Sequence, residues 1–290
     1  MTVDAALREQ ILVFQRNEIS EHHIYENLAR QVRSPHDSEV LQRIADDELR
    51  HYQSWKGFTQ TDVEPSRVMV WFFTLISRIF GFTFAIKLME RGEEGAQDSY
   101  AQLRGVIPDI EAIIHDEHDH EEALIELLDE ERLRYAGSMV LGLNDALVEL
   151  TGALAGLTLA LQDTQLIALT GSITGIAAAL SMAASEYLST KSEDATKNPL
   201  QAALYTGTAY ILTVVILILP YLLLENYYIC LVLTLLAAIL VIALFNYYIS
   251  VAKDEPFRQR FVEMAGLSLG VAVFSFLVGF VIRRFLGVEV

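Results

Sequence analysis

The chain has 290 residues, enough for two domains of modest size, and it combines 52% hydrophobic residues with a formal net charge of −17. The negative charge excludes nucleic acid as a partner, because phosphate backbones require a basic patch. The one cysteine, Cys230, lies in an apolar run, which excludes a disulfide framework and a thiolate metal site.

Charge and hydrophobicity belong to different parts of the chain. Up to Arg134 there are 27 Asp and Glu against 14 Lys and Arg, and all seven histidines lie within the first 120 residues. The rest of the sequence consists mostly of long apolar runs. An acidic half with many histidines is typical of proteins that attract cations. We therefore predict one domain at 1–134 and a membrane domain at 135–290.

The first domain has the periodicity of a helical bundle. Four helices are predicted, at 4–33, from Asp37 to about Phe58, up to about Leu103, and from Asp109 to about Arg134. Asp37 and Ser38 are the candidate caps of the second helix. Four helices with one long connection in the middle form a known bundle topology.

The connection between the second and third helices, Val68–Met89, is apolar but contains Arg78 and Lys87. A sixth membrane span is one interpretation, but these two charges would be costly near the middle of a bilayer. We expect instead a crossover that lies against the membrane surface or against the bundle. Trp71 and the two phenylalanines after it would suit a membrane interface.

The sequence Glu-x-x-His occurs twice, at Glu48–His51 and Glu117–His120. On a helix, residues three apart share a face, so one carboxylate and one imidazole converge on a point. The other two predicted helices each carry a single glutamate, Glu18 and Glu93. Carboxylates bridge divalent ions and imidazole suits iron. A solvated acidic face would explain one such motif, but two motifs with matching glutamates indicate a di-metal site.

With this pattern, residues 1–134 resemble a rubrerythrin-type, ferritin-like domain, so the expected fold is an all-α four-helix bundle. The resemblance implies a di-iron centre, in which manganese or zinc can substitute, held by Glu18, Glu48, His51, Glu93, Glu117 and His120, with Glu48 and Glu117 as bridges. Neighbouring glutamates that can replace these ligands are Glu21, Glu90, Glu94 and Glu121. Rubrerythrins have a further iron site on cysteine pairs, and its absence from this sequence argues against an electron-transfer peroxidase.

Five membrane spans are predicted after Arg134, at about 136–161, 165–190, 203–224, 227–249 and 262–285. Each is long enough to cross about 30 Å of hydrocarbon. Seven basic residues flank the spans on the predicted inner side, against Arg283 and Arg284 on the outer side. This bias predicts an N-terminus in the cytoplasm and a C-terminus outside. The N-terminal residues lack the pattern of a signal peptide, so we expect the first domain in the cytoplasm and the spans in the inner (cytoplasmic) membrane.

Acidic side chains occur inside the first two predicted spans. Asp145 and Glu149 are four residues apart in the first, and Met182 and Glu186 are four apart in the second. Carboxylates in an apolar span usually mark an ion path. A short first span, with both acids at the cytoplasmic surface, is the alternative. A thioether beside a carboxylate would favour transition metals over magnesium and calcium.

Two motifs make about 135–287 similar to the vacuolar iron transporters: Gly-Leu-Asn-Asp at 142–145 and Ser-Met-x-x-x-Glu-Tyr-x-Ser at 181–189. The resemblance implies a homodimer of five-helix protomers, a metal path at the dimer interface, and exchange of ferrous iron or manganese for protons. Eukaryotic members carry a long glutamate-rich insert between spans two and three, but here that stretch is only about Thr190–Gln201. The combination is similar to bacterial membrane-bound ferritins, which export iron, so the first domain is expected to gather the metal.

The sequence thus predicts a transporter that exports ferrous iron, or manganese, in exchange for protons, with a bundle that gathers or oxidises the metal. Two alternatives stay open. One is a membrane-anchored ferroxidase or peroxidase whose spans only anchor it, although an anchor needs no buried carboxylates. The other is an iron sensor or store whose occupancy gates the membrane domain.

Overall fold

The structure is a computed structural model that describes residues 5–89, 91, 110–126, 135–193 and 197–286. All regular elements within these ranges are helices, which confirms the all-α prediction for this part of the chain. The chain divides into two compact units, Met1–Glu130 and Glu131–Val290.

The helices are numbered in chain order. The first unit contains α1 (Ala5–Ala29), α2 (Pro35–Thr59), α3 (Arg67–Phe80), α4 over 82–89 and α5 (Ile110–Glu126). The second unit contains α6 (Ala136–Leu161), α7 (Thr164–Glu193), α8 (Pro199–Leu223), α9 (Tyr227–Lys253) and α10 (Phe257–Leu286). The predicted third bundle helix up to Leu103, and the end of the fourth beyond Glu126, lie outside the described residues.

Helices α1 and α2 form an antiparallel pair around an apolar core. Ile24, Leu28, Leu41 and Ile44 are fully buried between them. The predicted cap of α2 at Asp37 or Ser38 was wrong. Ser34 is the cap, because its Oγ accepts a hydrogen bond from the Asp37 amide at 3.2 Å. The proline that follows Ser34 is the first helical residue, where its missing N–H is not needed.

The apolar connection at 68–89 is divided between α3 and α4. Gly81 separates the two helices with φ of 100°, a backbone conformation that favours glycine. Helix α3 has 14 residues, too few to cross the hydrocarbon of a bilayer. A sixth span at this place is therefore excluded, and α3 packs against α1.

Five helices of the second unit are long and apolar enough to cross a membrane, which confirms the predicted number of spans. Three helix ends lie four or five residues beyond the predicted spans. Helix α8 begins at Pro199, α9 ends at Lys253 and α10 begins at Phe257. Hydropathy locates the apolar part of a helix, whereas the helix itself continues to its cap, as at Asn198, whose side chain accepts from two amides of α8.

Helix α6 is the centre of the second unit, because it contacts each of the other four spans. Small residues let the backbones approach closely, as is common in membrane helix packing. A Cβ atom at Gly279 of α10 would lie 2.4 Å from the carbonyl oxygen of Gly156 of α6. A Cβ at Gly142 would lie equally close to the carbonyl oxygen of Thr206 of α8. The helix that carries Asp145 and Glu149 is thus fixed on both sides.

Candidate metal sites

Four side chains from three helices meet inside the first unit. Glu18 comes from α1, Glu48 and His51 from α2, and Glu117 from α5. One potential ligand atom of each lies within 4.8 Å of the others. Glu18, Glu48 and His51 are at most 2% exposed, and Glu117 is half-buried. We refer to these four residues as the buried cluster.

The contacts of the buried cluster bring its carboxylate oxygens and the His51 imidazole close together. The Trp55 Nε1 donates to Glu18 Oε1 at 2.9 Å, within the buried interior of the unit. The His51 Nδ1 lies 3.4 Å from a carboxylate oxygen of Glu117 and 3.5 Å from oxygens of Glu18 and Glu48. The imidazole nitrogen is therefore surrounded by three carboxylates.

Each imidazole of the two Glu-x-x-His motifs is oriented by an aspartate of the opposite motif. The His51 Nε2 lies 3.2 Å from Asp116 Oδ2 of α5, and the His120 Nε2 lies 3.1 Å from Asp47 Oδ2 of α2. In both rings the Nδ1 is left to face the glutamates, with His120 Nδ1 3.3 Å from Glu48 Oε1. The aspartates directly precede Glu117 and Glu48 in the sequence. The motif is thus Asp-Glu-x-x-His on both helices, and our sequence prediction missed its first residue.

The cluster attracts positive charge. Burial and the neighbouring charge of Glu117 hold the pKa of Glu48 well above its usual range. Burial also acts to raise the pKa of Glu18, but His51 outweighs it, so this pKa lies below its usual value. Burial would lower the pKa of His51, but the carboxylates of Glu117, Glu18 and Glu48 reverse that effect and raise it. Protons or metal ions can supply the charge that these groups favour.

The donor set fits divalent transition ions. Buried polar atoms normally have hydrogen-bond partners. Within the described residues, however, Glu48 Oε2, His51 Nδ1 and His120 Nδ1 are buried without a hydrogen bond. All three atoms are on the side of the motif that faces the cluster. Carboxylate and imidazole donors with aspartates behind the imidazoles are the arrangement that suits iron, manganese or zinc.

The other predicted ligands of the first unit have different outcomes. Glu21 is 7% exposed but is not a member of the buried cluster. Glu90, Glu93 and Glu94 lie outside the described residues, and Glu121 lies on α5 with a side chain that the structure does not describe.

A second group of possible donors, formed by His22, His23 and Glu26, lies on α1. The Glu26 carboxylate already pairs with Arg30 at 3.2 Å, and all three members of the group are partly exposed. The buried cluster is therefore the better candidate for a metal centre.

In the second unit, the predicted path residues lie on α6 and α7. Glu186 of α7 accepts a hydrogen bond from Ser138 Oγ of α6 at 2.5 Å. Met182, one turn earlier on α7, packs against the apolar core of the unit. Ser138 is itself fixed, because its carbonyl oxygen accepts from Thr206 Oγ1 of α8 at 2.9 Å.

Asp145 and Glu149 lie further along α6. Asp145 is seven residues from Ser138, about 10 Å along the helix axis, and Glu149 is one more turn away. Asp145 is half-buried and Glu149 is exposed. Glu149 Oε2 accepts a hydrogen bond from the buried Tyr210 of α8 at 3.0 Å. Glu186 of α7 thus meets α6 at Ser138, and Asp145 and Glu149 follow about two and three turns further along α6.

Comparison with known proteins gives one family match. The sequence model of the VIT family matches residues 136–198, which include Asp145, Glu149, Met182 and Glu186. No curated protein matches the chain. The match supports the resemblance of the second unit to the membrane domain of the vacuolar iron transporters, and it indicates metal ions as the transported class. Together with the five apolar helices, it indicates an integral membrane protein whose second unit resembles a metal transporter.

Proposed function

We propose that the protein is a transporter that exports ferrous iron, or manganese, from the cytoplasm in exchange for protons. In this proposal the buried cluster gathers or oxidises the metal, and the second unit moves the reduced ion across the membrane. The observation that carries the proposal is the family match over the two helices that hold all four path residues. A membrane anchor would need none of these groups, because ionisable side chains in a span are expensive.

The spacing of the carboxylates supports stepwise movement of an ion. Glu186 with Ser138, then Asp145, then Glu149 with Tyr210 offer oxygen ligands at successive levels of α6. Carboxylates can release a proton when they accept a cation and take one up when the cation leaves. Proton exchange would therefore use the same residues as metal passage. Met182 lies one turn from Glu186, where its thioether favours transition metals.

Glu149 supports a homodimer. It lies about 20 Å from the start of α6, near the middle of the span, and it is exposed on a single protomer. Exposing an ionised carboxylate to lipid at that depth costs roughly 3 kcal/mol or more of free energy. A second protomer or a water-filled path would remove this cost. A metal path between two protomers meets both conditions.

The first unit would hold a di-iron centre through Glu18, Glu48, His51, Glu117 and His120. Iron bound there would supply redox chemistry toward oxygen or peroxide, and manganese or zinc would fill the same donor set without it. The protein's own contribution is to orient the imidazoles through Asp47 and Asp116 and to exclude water through burial. Glu93 completes the predicted ligand set.

The basic residues at the inner ends of the spans favour an N-terminus in the cytoplasm and a C-terminus outside, in the inner membrane. In this orientation the first unit meets cytoplasmic metal. Glu186 would be the first path residue that the ion reaches, because it pairs with Ser138 near the start of α6.

A second candidate function is a membrane-anchored ferroxidase or peroxidase, or an iron sensor that gates the spans. The observation in its favour is the buried cluster itself, whose oriented imidazoles suit a permanent metal centre as well as a transient one. The two functions differ in what they require of the spans, since only a transporter needs the carboxylates of α6 and α7.

The test is metal flux in proteoliposomes with an imposed pH gradient, measured separately for ferrous iron and manganese. We expect flux that collapses with the gradient in the unsubstituted protein. Asp145→Asn and Glu186→Gln should each reduce it by at least about tenfold, because a neutral amide cannot exchange a proton for a cation. Glu225→Gln, an exposed glutamate in the loop between α8 and α9, is the matched control.

Flux that survives both substitutions, with the bundle still loaded with metal, would reject transport through these residues and leave the anchor hypothesis standing. Flux that is independent of the pH gradient would reject proton exchange but keep transport.

A further inference from the structure

Helix α3 is apolar on two sides, and the first unit covers one of them. Met69, Val70 and Phe73 pack against the core beneath α1 and α2. At the edge of this inner face, the Asn27 Nδ2 of α1 donates to Thr74 Oγ1 at 3.3 Å, and the Ser77 Oγ donates to Gln31 Oε1 at 3.2 Å. These contacts fix which side of α3 faces outward.

The outward side carries five large apolar residues. Their exposed fractions are 77% for Val68, 64% for Trp71, 42% for Phe72, 37% for Leu75 and 56% for Ile79. Their spacing places them within a sector of about 100° along the whole helix. Single exposed apolar side chains are ordinary, but a continuous stripe of this size usually marks an interaction surface. We call these five residues the α3 stripe.

The two charged residues of α3 itself, Arg67 and Arg78, are both positive. Between Glu64 and Glu90 the sequence contains no acidic residue, although the first domain is strongly acidic overall. Arg67 and Arg78 are exposed and lie beside the same edge of the stripe, where Arg67 has Glu64 as a distant partner at 3.9 Å. Apolar side chains with a tryptophan and flanking arginines are the composition of a helix that lies in the interface of a bilayer.

We propose that the α3 stripe lies in the headgroup region of a bilayer that contains anionic lipids. The side chains of the stripe enter the acyl boundary, and Arg67 and Arg78 reach phosphate groups. A second copy of the chain fits this surface less well. Two stripes packed by a two-fold axis would bring arginines of one copy toward those of the other, with no acidic residue on α3 to pair with them. The inference does not depend on the transport proposal, because a membrane-anchored enzyme would use the same surface.

The chain provides its own reporter. It has two tryptophans, Trp55, which is fully buried, and Trp71, which is 64% exposed in the stripe. The full-length protein is reconstituted into vesicles of zwitterionic and anionic phospholipid that carry bromine at shallow or deep acyl positions. Fluorescence is compared between Trp55→Phe, which leaves Trp71, and Trp71→Phe, which leaves Trp55.

We expect the Trp71 emission to fall about twofold with shallow bromine and less with deep bromine, while the Trp55 emission stays nearly constant. Leu75→Glu in the Trp55→Phe background should reduce this quenching. Val13→Glu, at an apolar residue of α1 that is 57% exposed outside the stripe, should leave it unchanged. Far-UV circular dichroism and thermal unfolding of each variant verify that the first unit is folded, because Trp55→Phe also removes the hydrogen bond to Glu18 and can change metal content by itself.

Two results would overturn the proposal. The first is equal Trp71 emission in brominated and unbrominated vesicles. The second is an emission that changes with protein density at constant lipid, which would show that a second copy of the chain covers the stripe.

Discussion

The two units hold their carboxylates in opposite ways. In the first, Glu18 and Glu48 are buried and both lie 3.5 Å from His51 Nδ1. The Trp55 indole N–H also donates a hydrogen bond to Glu18. In the second, Asp145 and Glu149 lie on an apolar helix, and Glu149 has the hydroxyl of Tyr210 as its hydrogen-bond donor. The first arrangement gathers donors at one point, and the second places Asp145 and Glu149 about one turn apart along α6.

Under the proposed function, we interpret this difference as two different tasks. In the first unit the donors converge, and Asp116 and Asp47 fix the Nε2 atoms of the two imidazoles. Such preorganised ligands favour tight binding, because they lose little conformational freedom when a metal binds. Separate donors with few partners bind each ion weakly, which allows it to leave for the next position. A protein that both collects and releases metal needs both arrangements, and the following experiments examine whether the two units divide the tasks in this way.

The largest effect is expected from the double variant Glu48→Ala and Glu117→Ala. Removing both carboxylates that are predicted to bridge the ions should abolish binding of about two metal ions by the first unit, because Glu18 and the imidazoles are too few donors among the described residues to hold two ions. Metal content is measured by mass spectrometry on the purified full-length protein. Glu39→Ala with Asp119→Ala, two exposed acids on the same two helices, is the control. Unchanged stoichiometry in the first variant would show that the buried cluster is not the metal centre.

The next effect concerns the exposed carboxylate of α6. Glu149→Gln should lower metal flux by about tenfold while leaving the metal content of the bundle intact, since it removes a charge from the second unit alone. Its thermal unfolding in detergent should occur at the same or a higher temperature, because the exposed carboxylate contributes little to packing. If the bundle also lost its metal, the two units would not act as separate sites.

A loss of affinity without loss of sites is expected from the aspartates behind the imidazoles. Asp47→Asn should weaken metal binding by about 10- to 100-fold and keep full stoichiometry at saturation, because an amide orients His120 less firmly than a carboxylate. Competition with a metal chelator measures the affinity. Asp46→Asn is the matched control, since Asp46 is the exposed neighbour of Asp47 in the sequence. Equal affinities of the two variants would exclude an orienting role.

The smallest effect is expected at Tyr210. Tyr210→Phe removes the hydrogen bond to Glu149 and should lower flux about fivefold, corresponding to about 1 kcal/mol for one hydrogen bond. Tyr228→Phe, at an exposed tyrosine of α9, serves as the control in the same flux assay. A change as large as that of Glu149→Gln would mean that the tyrosine itself takes part in the ion path.

The sequence by itself determined the helical class, the five spans and the two Glu-x-x-His motifs. Periodicity and run length are local properties, and they remain readable whatever the helices pack against. The same reasoning placed Glu48 beside His51 and Asp145 beside Glu149, because residues three or four apart share a helix face.

Only the tertiary structure decided how the helices are aligned with one another. The alignment of α2 with α5 places Asp116 behind His51 and Asp47 behind His120, and that of α6 with α7 places Glu186 at Ser138. It also decided that α3 turns one apolar side inward and leaves the other exposed. Alignment between helices depends on the packing of residues that are distant in sequence, such as Gly142 against Thr206. It therefore cannot be predicted from the periodicity or the motifs of a single helix.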